Sequence, residues 1–172
     1  MAGDSCVTEG DSIWLQGQPK VFALKGPVLV GIFGSGAFES AMRSIEWQRQ
    51  PADERWLRDE LPARVREVVE AQVPEDGSDE ETRPRRDSGA MIGYRGKLWY
   101  LEASGALCPY AGAWAAAGTG ADPARAVLRY TASRRVRQAL QLTPRDRLAA
   151  ALDAAEALTA NTRRPFKYVS EK

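Results

Sequence analysis

The sequence contains no histidine. That absence excludes, within this chain, a Ser-His-Asp or Cys-His catalytic site, a histidine general base and His-ligated zinc. Cysteine is scarce as well. Cys6 and Cys108 are the only two, too few for a disulfide framework or a Cys-only zinc site, and the plain setting is cytosolic. An excess of one charge is also missing. The 24 Lys+Arg against 23 Asp+Glu leave a net charge of +1, so no overall field draws nucleic acid or anionic lipid. No apolar stretch reaches the ~20 residues of a membrane span. The opening Met1-Ala2-Gly3-Asp4 carries neither the charged nor the apolar region of a secretory signal. No cofactor or metal is implied. An enzyme built from what remains must use carboxylates, lysine, a hydroxyl or a terminal amine.

What is present is enough for a core. The chain has 172 residues, 44% of them apolar, which fits one domain over 1–172. Two apolar runs, Val21–Leu24 and Val28–Phe33, flank Lys25-Gly26-Pro27 and predict a hairpin. The second run is apolar throughout, so that strand is expected to be covered on both faces. Phe38, Ala41, Met42 and Ile45 recur at helical spacing and predict a helix over 37–49. A second helix is expected over 52–72, kinked or split at Pro62. Residues 74–88 hold almost nothing to bury and read as an exposed, disordered loop. A second hairpin follows, 89–94 and 97–102, and then a short apolar strand at 113–117. Asp122 and Pro123 offer an N-cap and N1 for a helix to about 139. Thr143-Pro144 repeats the signal for a helix over 144–159, and 166–169 read as a closing strand. This segregation of strands and helices predicts an α+β fold.

Few residues carry chemistry by themselves. Gly34-Ser35-Gly36 and Gly118-Thr119-Gly120 each stand between an apolar run and a helix. Neither is a P-loop, since no Gly-Lys-Ser/Thr follows, and neither gives Gly-x-Gly-x-x-Gly. Tight turns are the better reading, and phosphate binding is set aside. Lys20 alone reads as a surface lysine and Asp4 as a turn residue. The five tryptophans are spread along the chain as core or interface residues. Arg134-Arg135 and Arg163-Arg164 read as solvated basic pairs.

Order and spacing say more than any single motif. Met1-Ala2-Gly3-Asp4-Ser5-Cys6-Val7-Thr8 is followed by Pro19-Lys20-Val21, with Lys20 sixteen positions after Asp4. Then come Val28-Leu29-Val30-Gly31-Ile32-Phe33-Gly34-Ser35-Gly36-Ala37, Ala115-Ala116-Ala117-Gly118-Thr119-Gly120-Ala121 and Ala150-Ala151-Leu152-Asp153-Ala154-Ala155. In this order they resemble the proteasome β-subunit superfamily of N-terminal-nucleophile (Ntn) hydrolases. Within it they are most similar to the HslV-type peptidase and to shorter proteasome-like proteins of bacteria and phages. The resemblance spans essentially the whole chain. It implies a four-layer αββα sandwich with two stacked antiparallel sheets, and a threonine-type peptidase subunit. In that chemistry a terminal threonine hydroxyl attacks the peptide carbonyl, with its own α-amine as base. The resemblance implies Lys20 as the supporting lysine, Asp4 as its partner, Gly31 as the oxyanion-hole N–H donor and Thr119 as the residue orienting the terminal amine. It further implies a homo-oligomeric ring, an ATP-driven unfoldase as partner, a peptide or unfolded-protein substrate and a cytoplasmic location.

The sequence departs from the family in two places. The nucleophile belongs to a hairpin ahead of the Ala-Gly-Asp segment, and here the sequence opens inside that segment. Three explanations are open: an internal methionine taken as the start, a natural shortened relative, or a replacement nucleophile among Ser5, Cys6 and Thr8. The last would discard Asp4. The family also places an aspartate where Ala157 stands. The 172 residues alone are therefore expected not to catalyse. The alternative reading is a non-catalytic Ntn-fold module of a ring or phage assembly. An unrelated α+β binding protein is a third.

Overall fold

The computed structural model describes residues 1–4, 6–9, 12–15, 19–24, 27–45, 54–71 and 87–170. The chain divides into two compact units: Met1–Val21 with Gly112–Tyr168, and Phe22–Ala111 with Val169–Lys172. The fold is α+β, and every ladder whose pairing is assigned is antiparallel.

In the first unit a two-residue strand, β1 (Ala2–Gly3), pairs with β9 (Lys167–Tyr168), and β2 (Cys6–Glu9) pairs with β3 (Ser12–Leu15). The helical part holds α3 (Ala121–Ala132), α4 (Arg134–Leu140) and α5 (Pro144–Leu158). Ala124 and Leu128 of α3 are buried against Ala151 and Ala155 of α5. Small side chains at three of these four positions let the helices approach closely. Arg147 fastens the same contact. Its Nε donates to Thr131 Oγ1 at 3.2 Å and its Nη2 to the Leu128 carbonyl at 3.2 Å. Three sequence expectations change here. The helix expected to run to 139 breaks at Ser133, whose ψ of 131° is extended. Asp122 is not the N-cap; Gly120 is, without a side-chain bond. Residues 113–117 form no ladder, and Trp114 and Ala116 pack on the α3–α5 core instead. The Thr143-Pro144 signal holds, with a full capping box to Asp146.

The second unit is a five-stranded meander in chain order: β4 (Val21–Ala23), β5 (Val28–Phe33), β6 (Gly89–Tyr94), β7 (Lys97–Glu102) and β8 (Leu107–Tyr110). Leu24 N–H donates to the Val28 carbonyl at 2.8 Å, closing the first turn. Residues 28–32 are all buried, as their unbroken apolar run predicts. Between β5 and β6 lie α1 (Gly36–Ser44), a π-helical stretch, Trp56–Glu60, and α2 (Leu61–Glu70). Pro62 has no N–H to give and crowds the preceding turn. The π stretch lies just before it, with Leu61 N–H reaching the Trp56 carbonyl, and the helical path runs on through Pro62 without the expected split. Phe38, Met42, Leu57, Leu61 and Val65 are fully buried with Val30, Ile92 and Leu101 of the sheet. Each such side chain contributes about 1.5–3 kcal/mol by leaving water. The helix expected to reach 49 stops at Ser44, because Ile45 turns extended. β8 carries Pro109, which an edge strand tolerates and which hides the strand from sequence reading. Most of the loop expected at 74–88 lies outside the described residues, but its last residue contradicts the expectation. Ser88 is fully buried.

Candidate functional site

Asp4 follows β1 directly and Lys20 precedes β4. They meet because Gly3 has no side chain. A Cβ there would stand 2.8 Å from Val21 Cγ1 of the same unit, so only glycine lets β1 lie this close to Val21. The neighbouring residues then face each other, and Lys20 Nζ donates to Asp4 Oδ1 at 3.3 Å. The two side chains are 20% and 13% exposed. At an effective dielectric of ~20 the attraction is about 5 kcal/mol before desolvation is charged against it. Desolvation of a sheltered pair consumes much of that gain. The pair therefore fixes an oriented ammonium more than it adds stability.

Thr119 belongs to the same compact unit. It is exposed, in a turn where Gly118 adopts φ +90° and the Ala121 N–H returns to the Gly118 carbonyl at 3.0 Å. Gly120 presses this turn onto α5. A Cβ on it would stand 2.6 Å from Thr162 Oγ1 and 2.8 Å from Ala155 Cβ. The end of α5 is tied down in turn. Arg163 Nη1 donates to the carbonyls of Glu156, Thr159 and Thr162 at 3.2, 2.8 and 2.8 Å. Arg164 bonds Glu156 and Asp153. Ala157, at the position where the resemblance expects an aspartate, is exposed.

Gly31 belongs to the second unit, buried in β5 opposite Met91 of β6. Its direction follows from the β6–β7 turn. Arg95 and Gly96 have φ +48° and +73°, the signature of a two-residue type I′ hairpin closed by Tyr94 and Lys97. Backbone groups alternate sides along an antiparallel strand, so Met91 faces β5 and the Gly31 N–H faces Met91. As an oxyanion donor it would have to leave that ladder. Of the alternative nucleophiles, Ser5 lies outside the described residues, and Cys6 and Thr8 are in β2. Sequence reasoning missed a serine pair at the start of α1. Ser35 N–H donates to Ser88 Oγ at 2.9 Å, and Ser88 Oγ donates to Ser35 Oγ at 3.2 Å. The only sequence signal was the position of Ser88 just before a strand. Among the described residues no group of three or more His, Cys, Asp or Glu could hold a metal ion. No described helix is long and apolar enough to cross a membrane.

No family model and no curated protein matches the sequence. Solved structures do. Eukaryotic HslV from Trypanosoma brucei superposes with a TM-score of 0.64 at 17% identity, over 96% of this chain and 88% of that one. BPH from Thiobacillus denitrificans gives 0.65 at 17%, over 99% and 90%. Anbu, the ancestral β-subunit, from Yersinia bercovieri gives 0.60 at 14%, over 96% and 73%. The chain shares the fold of these HslV, BPH and Anbu structures. At such identities the likeness lies in the chain path and not in the side chains. This fold places Lys20 and Asp4 together.

Proposed function

We propose that this chain is the scaffold of a proteasome-like, threonine-type peptidase subunit, a single Ntn-hydrolase-like domain over 1–172. The observation that carries the reading is the sheltered Lys20–Asp4 contact of 3.3 Å. A terminal threonine hydroxyl beside Lys20 would attack an amide carbonyl. Its α-amine, titrating near ~8, would take the proton without histidine and return it to the departing amine as the C–N bond breaks, and water would then release the acyl group from the threonine oxygen. The Lys20 ammonium would stabilise the alkoxide and the developing oxyanion, and Asp4 would hold that ammonium aimed. Thr119 would orient the terminal amine, and Gly31 would be the oxyanion donor if its ladder opens. The subunit would work in the cytoplasm without a cofactor, in a homo-oligomeric ring fed by an ATP-driven unfoldase. The alternative is a non-catalytic ring module, favoured by the exposed Ala157 where an aspartate is expected.

One neighbour, BPH from Thiobacillus denitrificans, was solved in complex with epoxomicin, which supplies a probe. The test is the intact mass of the native product before and after incubation with epoxomicin. The peptidase reading expects a product with threonine first and a gain of one inhibitor mass. A product beginning at Met1 or Ala2 that gains nothing supports the non-catalytic module.

A further inference from the structure

The arginines of this protein are treated unequally. Among the described residues, Arg43, Arg55, Arg58, Arg64, Arg125 and Arg164 each hold a carboxylate within 4.0 Å. All but Arg164 do so three or four positions away on their own helix. Arg147 and Arg163 bond carbonyl groups instead, and Arg95 and Arg145 lie over tyrosine rings. Arg66 is exposed without an ion pair to a described residue, and residues 129–137 gather four more arginines of that last kind. Arg129, Arg134, Arg135 and Arg137 are exposed, and no ion pair to a described residue involves them. Helix α4 has no buried residue and no acid in its first turn. Arg134 and Arg135 occupy that turn, where the helix dipole disfavours cations. Arg134 and Arg137, three apart, repel each other on one face. Tyr130 and Leu140 beside them are 65% and 58% exposed. Local stability gains nothing from this arrangement, and a short polar helix with a milder composition would serve the fold better.

The complementary charge is in the same sequence. Residues 75–81 carry five carboxylates in seven positions and no cation. They lie outside the described residues and enter here through their charge alone. We propose that the arginine face of α3–α4 docks the acidic run 75–81 of a second copy of this chain. This rests on the ring assembly proposed above and names a contact that would set it. The two surfaces differ, so the contact is heterologous, the kind that closes into rings or extends into filaments. Its charges would speed encounter and select the register of neighbouring copies.

Charge exchange tests this. One variant carries Arg134→Glu, Arg135→Glu and Arg137→Glu. A second carries Lys at all five acids of 75–81. A third combines both sets. Circular dichroism and thermal melts establish that each is folded, and sedimentation velocity in ~0.15 M salt reads assembly. The wild type is expected to assemble. Each single-set variant is expected to lose about 10–100-fold in association affinity. The combined variant, and an equimolar mixture of the two single-set variants, are expected to recover it. A wild type that assembles alongside single-set variants that assemble equally well overturns the arginine contact and leaves the ring intact. A wild type that stays monomeric overturns both. Recovery absent from the mixture, or a wild-type face that takes up an RNA oligonucleotide in preference to self-association, also overturns the contact.

Discussion

Gly34 holds φ +106°, and a Cβ on it would stand 2.4 Å from the Ser88 backbone. Two residues on, Gly36 begins α1 with nothing within 4 Å of its would-be Cβ. Gly34→Ala is therefore expected to cost about 3 kcal/mol from left-handed strain and overlap together. Gly36→Ala is expected to be neutral or to stabilise by up to about 1 kcal/mol, through the unfolded chain. Urea melts of the two variants separate these outcomes. At the same scale, Lys20→Ala or Asp4→Ala removes a sheltered charged contact, at a cost of about 1–3 kcal/mol each. The double variant should lose less than the sum, and a double-mutant cycle measures the difference. Neither residue announced this role by itself. A lysine before an apolar strand and an aspartate in a turn are ordinary surface residues, and a pair sixteen apart meets only through tertiary pairing. The resemblance named them because it carries the fold with it. Ser88 was misread because a polar neighbourhood in sequence says nothing about a hydroxyl that caps a turn far away in the chain.

Among the elements, α5 is the most legible and α3–α4 the least. Thr143, Pro144 and Asp146 state a helix start in full, and the structure forms it. Thr143 Oγ1 accepts from the Asp146 N–H at 3.2 Å, and the Thr143 N–H donates to Asp146 Oδ2 at 2.9 Å. Thr143→Ala is expected to cost about 1 kcal/mol, read in thermal or urea melts. The Thr143 hydroxyl and then its backbone N–H hold the Asp146 carboxyl below the ordinary carboxylate range. A depressed folded pKa means stability that is present above the unfolded value near ~3.9. That stability is lost as the pH falls through the folded value. The gap between wild type and Thr143→Ala should therefore narrow on acidification below about pH 4. A gap that is constant with pH would contradict the capping box. By contrast, the break at Ser133 has no Gly or Pro to announce it. Periodicity ran through it because both halves are helical. In the sheet, β5 and the β6–β7 hairpin follow directly from apolar runs and a turn pair. β8 does not, since Leu107-Cys108-Pro109-Tyr110 gains its strand geometry from lying along β7.

For the whole molecule, the sequence carries the order of the segments on which the resemblance rests, while the structure carries the chain path that 14–17% identity leaves hidden. What joins the two levels is one contact, Lys20 to Asp4, made possible by the bare backbone of Gly3. The most direct test of the role given to that contact is peptide hydrolysis by the protein purified from its native host, wild type and Lys20→Ala. The account expects turnover by the native product and a fall of at least ~100-fold on Lys20→Ala. Native turnover that survives Lys20→Ala would contradict it.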